Sequence, residues 1–560
     1  MRTLDWIVLI AFLVFTVLHG IWKGRGTKNI RSYMLADKSM PWYAVALSIM
    51  ATQASAITFL STTGQAYADG MRFVQFYFGL PIAMVILCAV AVPIFHRLNV
   101  YTAYEYLEQR FDLKTRVLTG FIFLIQRGLS TSLSLYAPAI ILSVILGWDM
   151  KITLRVIGIM ILLYTTLGGV KGVNWNDFYQ FLIIAGGMVA ALIMTLRLLP
   201  EEVSFFDAVS VAGAFGRLNT VDFSFDWNSR YNFWSGLIGG MFLALAYFGT
   251  DQSQVQRYLT GRSVTQSRLG LLFNGLAKVP MQFFILFVGA MVFVFYQFVT
   301  PPLFFNPVEE EKIRNGAYSE EYRQAEKEHQ RIASAKRKKL TEWVEMDRES
   351  RQEARPELTR LQKESEQIHD SGLQILKKSN PDVNPNDTNY VFLTFVTHYL
   401  PAGLVGLVIV IVFAATMSST SAEWNALATA SIIDVYRRLF KRDGTDRHYL
   451  IASKTATAFW GCFAIIVSER ASRLGTLIEA VNILGSLFYG TVLGIFILAF
   501  FFKRVQGTPT FLAAVAGEAL VLCLFLFTKI SFLWYNVFGS LTVVLVALVL
   551  NLFFGSSRRK

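Results

Sequence analysis

Apolar runs of roughly twenty residues follow one another along most of the chain, each the length a helix needs to cross a hydrocarbon layer. They predict about thirteen spans, near 4–22, 41–62, 74–96, 115–145, 153–168, 177–198, 232–250, 269–298, 397–436, 449–468, 474–502, 509–528 and 531–554. Three of these are too long for straight single crossings, so tilt or extension beyond the bilayer is expected. Residues 301–390 break the rhythm. They carry sixteen Lys and Arg against eighteen Asp and Glu, few apolar residues, and Pro356 near the middle. Alternating charges at helical spacing predict a solvated helical hairpin broken at Pro356.

Inside the span that ends near Arg437 and Arg438, four hydroxyl residues stand in a row: Ser418, Ser419, Thr420 and Ser421. Polar atoms in hydrocarbon are costly unless the protein uses them. An oxygen-only cluster suits a hard cation such as Na⁺, whereas softer metals ask for Cys or His. The blander reading is a small-residue helix interface, with Ala414 and Ala415 one turn earlier.

Composition agrees with a membrane protein. The chain has 560 residues, 54% hydrophobic and only 16% charged, with mean hydropathy +0.45; a soluble chain carries about 25% charge. The formal charge of +13 falls largely in alternate connections: Lys23 to Arg31, Arg97 to Arg116, Lys171, Arg257 to Arg268, Arg437 to Arg447, Lys503 with Arg504, and the tail Arg558-Arg559-Lys560. That is a positive-inside pattern with the N-terminus outside and the C-terminus cytoplasmic in a multi-pass cell (inner) membrane protein, so nucleic acid need not be invoked. A long loop translocates largely regardless of charge, which places the 301–390 insertion outside. Asp5 near the start of the first span, with no small-residue cleavage site, predicts an uncleaved helix rather than a secretory signal. The three cysteines, Cys88, Cys462 and Cys523, sit in apolar runs and read as small hydrophobes. The sequence lacks G-x-x-x-x-G-K-[ST], which argues against ATP-driven transport, and no enzyme chemistry or organic cofactor is expected.

Several segments, in order, resemble the sodium/solute symporter family of sugar, proline, sialic acid, iodide, monocarboxylate and vitamin carriers. They are Trp42-Tyr43-Ala44-Val45 leading to Ala51-Thr52-Gln53-Ala54-Ser55-Ala56, Thr165-Thr166-Leu167-Gly168-Gly169 with Trp175-Asn176-Asp177, and Tyr247-Phe248-Gly249-Thr250-Asp251-Gln252 with Val255-Gln256-Arg257-Tyr258. Ala414-Ala415 with Ser418-Ser419, and Glu479-Ala480-Val481-Asn482 with Gly485-Ser486-Leu487-Phe488-Tyr489-Gly490, complete the set. The resemblance implies an all-α polytopic fold with a five-plus-five inverted-repeat core (LeuT-like), formed by the second to sixth and seventh to eleventh spans. The division is then 1–40 for an extra helix and linker, 41–300 for the first repeat and start of the second, and 301–390 for the external insertion. Residues 391–505 supply the rest of the second repeat, and 506–560 two further helices and the basic tail.

The resemblance also implies a site for Na⁺, the coupling ion, at Ala51, Ala54, Ala415, Ser418 and Ser419, the alanines offering carbonyls where the first core helix unwinds. Asp177 with Ser421 corresponds to a second Na⁺ site of some relatives, although Ala422 stands where those relatives have a hydroxyl; the alternative for Asp177 is a helix-entry carboxylate near the cytoplasmic face. For the solute, the family points to Gln53, Tyr247, Lys278 and Asn482, while Thr58 and Tyr77 replace two residues that hold a hexose in sugar carriers. Arg127 is a second cation within a span; it either receives an acidic solute or pairs with a protein acid. The expected function is Na⁺-coupled import of a small polar organic solute of sugar, sialic acid or monocarboxylate type. The alternatives are a transporter-like solute sensor acting through a separate partner, since few residues follow the final span, and a proton-coupled or uncoupled carrier.

Overall fold

A computed structural model describes residues 2–381, 386–470 and 477–556; the basic tail from Ser557 lies outside them. The described residues form helices and one isolated bridge, Met40 to Gly261. Nine helical stretches among them are long and apolar enough to cross a membrane.

The first helix, α1 (Thr3–Gly24), runs beside the core. The second expected span is two helices, α2 (Trp42–Gln53) and α3 (Ala56–Asp69), separated at Ala54 and Ser55. α4 (Leu80–Ala89) and α5 (Ala91–Leu98) follow, then the long α6 (Leu113–Leu146). The fifth and sixth spans are α7 (Met150–Arg197), interrupted where Gly169 takes φ 56° and ψ −168°, a conformation only glycine adopts cheaply. After α8 (Phe205–Ala214), the segment α9 (Ser235–Thr250) stops at Asp251, which is extended, and α10 (Gln252–Leu259) restarts. Besides the interruption at Gly169, the chain therefore breaks at Ala54 and at Asp251. Helix breaks at membrane depth persist only where protein or a cavity receives the freed backbone groups.

The second half contains α11 (Val264–Phe298), the insertion hairpin α12 (Ser319–Glu345) and α13 (Arg348–Ser379), and α14 (Thr388–Tyr399). Then come α15 (Leu404–Ala430), α16 (Asp446–Ser468), α17 (Leu477–Phe501), α18 (Gly507–Phe527) and α19 (Phe532–Ser556). The hairpin turns at Met346-Asp347, not at Pro356, which lies inside α13. The Asp347 side chain accepts the Ser350 N–H at 2.9 Å and so starts the helix there. Pro356 then forfeits one backbone bond in a helix that continues on both sides.

α15 is buried on every side, including Ser418 to Ser421. At its start the Asp5 carboxylate accepts the N–H groups of Gly403 and Gly406 at 2.6 and 2.9 Å, capping α15 from another helix. Asp5, the end of α3 and the insertion share one face of the bundle. Gly24, Met40 and Gly261 share the other, where the Met40 N–H reaches the Thr260 carbonyl at 3.1 Å.

Candidate functional site

The break at Ala54 ends α2 with the Ala54 N–H on the Met50 carbonyl at 2.8 Å, and α3 restarts after extended Ser55. The last carbonyls of α2 and the first N–H groups of α3 thus end in the interior without helical partners. Ala51 and Ala54 are fully buried there.

α15 lies against both halves of the broken helix. Its Ser419 hydroxyl turns back to the carbonyls of Ala415 and Thr416, at 3.0 and 3.2 Å. Ser418 donates to Asp177 Oδ1 at 2.6 Å, and Ser48 of α2 donates to Asp177 Oδ2 at 2.6 Å. Asp177 is fully buried within α7. A hydroxyl that donates to a carboxylate keeps its lone pairs for a cation. Asn174, one turn before Asp177, receives the Arg257 guanidinium at 2.5 Å and Ser48 at 3.2 Å. Ser421 is not drawn into this group; its hydroxyl bonds the Ser418 carbonyl at 3.1 Å. The cluster is made of oxygens, and no group of three His, Cys, Asp or Glu fit for a metal occurs among the described residues.

Beside it lies a cavity of about 120 Å³. Thr52, Gln53, Ser55 and Thr58 line it from the break, with Ser419 from α15 and Asn482 from α17. Gln53 Oε1 is buried without a hydrogen bond. Tyr247 forms another wall and accepts Gln254 Nε2 at 2.7 Å. Arg127 also faces the cavity, but its guanidinium is already held: by Glu423 at 2.9 Å, by the Tyr489 hydroxyl at 2.5 Å, and by Asp251 at the second helix break. The protein-acid pairing weighed for Arg127 is therefore the arrangement found. Two carboxylates thus share one guanidinium in this wall.

Lys278 is the one sequence candidate for the solute that the cavity does not reach. It is fully buried behind the wall, with Nζ unbonded and 5.5 Å from the ring centre of Tyr77, which does line the cavity. Sequence reasoning passed over Ser48, Asn174, Asp251 and Glu423. For the two acids a signal was present: charges at membrane depth deserve the same scrutiny as Arg127. Nothing distinguished Ser48 or Asn174 before the helices were packed.

A model of the sodium:solute symporter family matches residues 33–311 and 381–517. The sodium/sialic acid symporter NanT of Aliivibrio fischeri is 25% identical over 97% of this chain and 92% of its own length. The sodium-coupled monocarboxylate transporter 1 of Xenopus laevis is 25% identical over 92% of this chain and 71% of its own. A solved Na⁺-coupled sialic acid symporter, in a substrate-bound outward-open state, superposes with TM-score 0.76 at 22% identity, covering 98% of this chain and 97% of that one.

Proposed function

The chain belongs to the sodium:solute symporter family, and from that premise we propose that it couples inward Na⁺ movement to import of a small organic solute rich in hydroxyl or ammonium donors. The observation that carries the reading is the meeting of a broken helix, a hydroxyl-bearing helix and a cavity with polar groups in its wall at one point. Ala51, Ala54, Ala415, Ser418 and Ser419 supply the ion with carbonyl and hydroxyl oxygens. Neutral ligands hold a cation loosely enough for release on the other side. Asp177, with Ser48 and Ser418, is a candidate for a second Na⁺, and its charge would offset that of the ion.

The solute faces Gln53, Tyr247, Asn482 and the Arg127 cluster. Gln53 Oε1 wants a donor, and the Arg127 guanidinium is already taken by two carboxyl groups, so hydroxyls or an ammonium fit this wall better than a bare carboxylate does. An acidic solute would have to draw Arg127 away from Glu423. Lys278 acts through Tyr77, as a cation behind the ring, and not by direct contact. For orientation we infer that the face bearing the insertion is extracytoplasmic and the basic face cytoplasmic, in the inner membrane of the cell.

Uptake by purified protein in liposomes tests the reading. Accumulation should require an inward Na⁺ gradient, and sugars or sialic acids should compete better than short monocarboxylates. Ser418→Ala with Ser419→Ala should raise the Na⁺ half-saturation concentration at least about tenfold, equivalent to roughly 1.4 kcal/mol. Uptake indifferent to Na⁺, or an unchanged Na⁺ dependence in the double variant, rules the ion site out. A proton-coupled carrier would instead follow pH at fixed Na⁺ and fixed potential.

A further inference from the structure

The family match stops at Glu311 and resumes at residue 381, so the insertion hairpin lies outside the segments that the family model matches. It does not stand free. Arg351 pairs with Asp207 at 2.9 Å, and Arg355 bonds the Ala214 carbonyl at 3.0 Å, fixing α13 to α8. Between the hairpin and the ends of α3 and α11 this docking forms an open basin of about 660 Å³, much larger than the central cavity.

Basic side chains outnumber the acidic ones along its wall. Lys336 is 3% exposed, yet its Nζ has only a neutral partner, Gln362 Oε1 at 2.8 Å. His329 is 4% exposed, and its Nε2 lies 3.1 Å from the Pro301 carbonyl, which can only accept. Nε2 therefore carries hydrogen, and Nδ1 is left buried with no partner. Arg217, Arg230, His369 and Lys377 line the same basin. The carboxylates facing them are largely engaged: Glu366 lies 3.6 Å from Arg217 and accepts Gln362 at 3.0 Å, Asp387 accepts the Phe305 N–H at 2.9 Å, and Asp69 accepts Gln65.

We propose that this basin is a binding site for a small anion, held by the Lys336 ammonium and the Nδ1–H of a protonated His329. The ammonium that has only an amide partner lacks what an anion supplies, and the unpartnered Nδ1 becomes a second donor to that anion when it takes up a proton. The occupant is either an organic carboxylate, the transported solute included, or an inorganic anion such as chloride. The proposal concerns residues outside the family match and does not depend on the reading of the central cavity.

Protonation supports it. Burial pushes the Lys336 ammonium down to about 8, with Arg217 lowering it further and Glu366 raising it. Burial lowers His329 as well; Lys336 and His369 add to that, while the Pro301 carbonyl and Glu326 oppose it. An anion between them reverses both effects, so its binding takes up protons and weakens as pH rises from 6 to 9.

The test uses the purified full-length protein in Na⁺-free choline buffer at pH 6, with thermal unfolding followed against choline acetate or choline chloride. Ionic strength is held constant with the choline salt of a bulky sulfonate. A ligand of the folded state raises Tm saturably. We expect such a rise for at least one anion, unchanged in Ser418→Ala and at least about tenfold weaker in Lys336→Met. Acetate alone identifies a carboxylate site, and chloride acting as well identifies a general anion site. No saturable rise with either anion, or equal affinity in Lys336→Met, overturns the proposal. If Lys336→Met does not fold, His329→Gln decides. It keeps a donor for Pro301 but cannot be protonated, and undiminished affinity at pH 6 is equally fatal.

Discussion

Asp177 holds hydroxyls from two other helices on its two oxygens, Ser48 on one and Ser418 on the other. Changing it to Asn keeps the shape but removes the charge and one acceptor. If the group is a second ion site, Asp177→Asn should lower the charge carried per solute by about one, read from current and labelled uptake on the same clamped membrane. Each charge crossing 100 mV supplies about 2.3 kcal/mol, so the variant should also lose about 1.6 decades of accumulation at that potential. An unchanged ratio assigns Asp177 a purely structural part. Arg127 makes a different point. Its depth in a span was legible from the sequence, but its partners lie 124 and 296 residues away and became known only from the packing. Arg127→Met leaves Asp251 and Glu423 facing each other in the interior, which should cost about 3–5 kcal/mol and lower Tm sharply. Adding Asp251→Asn and Glu423→Gln should recover most of that loss; failure to recover would mean that Arg127 contributes chiefly through packing.

Among the elements, those with a strong local signal were readable. The apolar length of each span came directly from the sequence, and the family resemblance anticipated the unwinding near Ala54. The break at Asp251 and the turn at Met346-Asp347 were not anticipated, because each rests on a carboxylate capping the helix that follows: Asp251 on the Ser253 N–H at 2.9 Å, Asp347 on Ser350. Pro356 sent the stronger message, and the cap prevailed. The packing of α1 was equally hidden, since it is made of glycines. A Cβ on Gly172 would lie 2.4 Å from the Gly20 carbonyl oxygen, and one on Gly168 2.7 Å from the same atom. Both obstacles are backbone and cannot swing aside. Next to them Asn176 donates to the Thr16 carbonyl at 2.9 Å and meets His19 at 2.7 Å. Gly172→Val should therefore push α1 off α7, costing about 1–3 kcal/mol and opening Asn176 to a search for new partners. Thermal unfolding of the variant checks this, with Gly186→Val as the control because a Cβ there meets nothing within 4 Å. Equal Tm values for the two variants would contradict a close α1–α7 contact.

At the scale of the whole molecule, the transporter core and the insertion are joined in a way that invites their separation. The family match omits residues 312–380, and the segment's two ends meet: Asn380 Nδ2 donates to Glu309 Oε2 at 3.2 Å. A short Gly-Ser linker can therefore replace the hairpin without stretching the core. What the core would lose is a restraint on α3, the second half of the broken helix. Arg217 bonds the Ala68 carbonyl near the end of α3 while reaching toward Glu366 of the hairpin, so α13 and α3 are linked through one side chain. In alternating access that half-helix must change its packing as one face closes and the other opens. The linker variant should fold, keep its Na⁺ half-saturation within about twofold of the parent, and lose all response of Tm to acetate and chloride. Its turnover should rise, because a tie across the moving half-helix has gone. An impermeant thiol reagent acting on intact cells should label Glu328→Cys, whose side chain on α12 is 46% exposed, if this face is extracytoplasmic. Labelling only after permeabilisation would invert the orientation, and loss of Na⁺ coupling in the linker variant would make the hairpin part of the transport machinery itself.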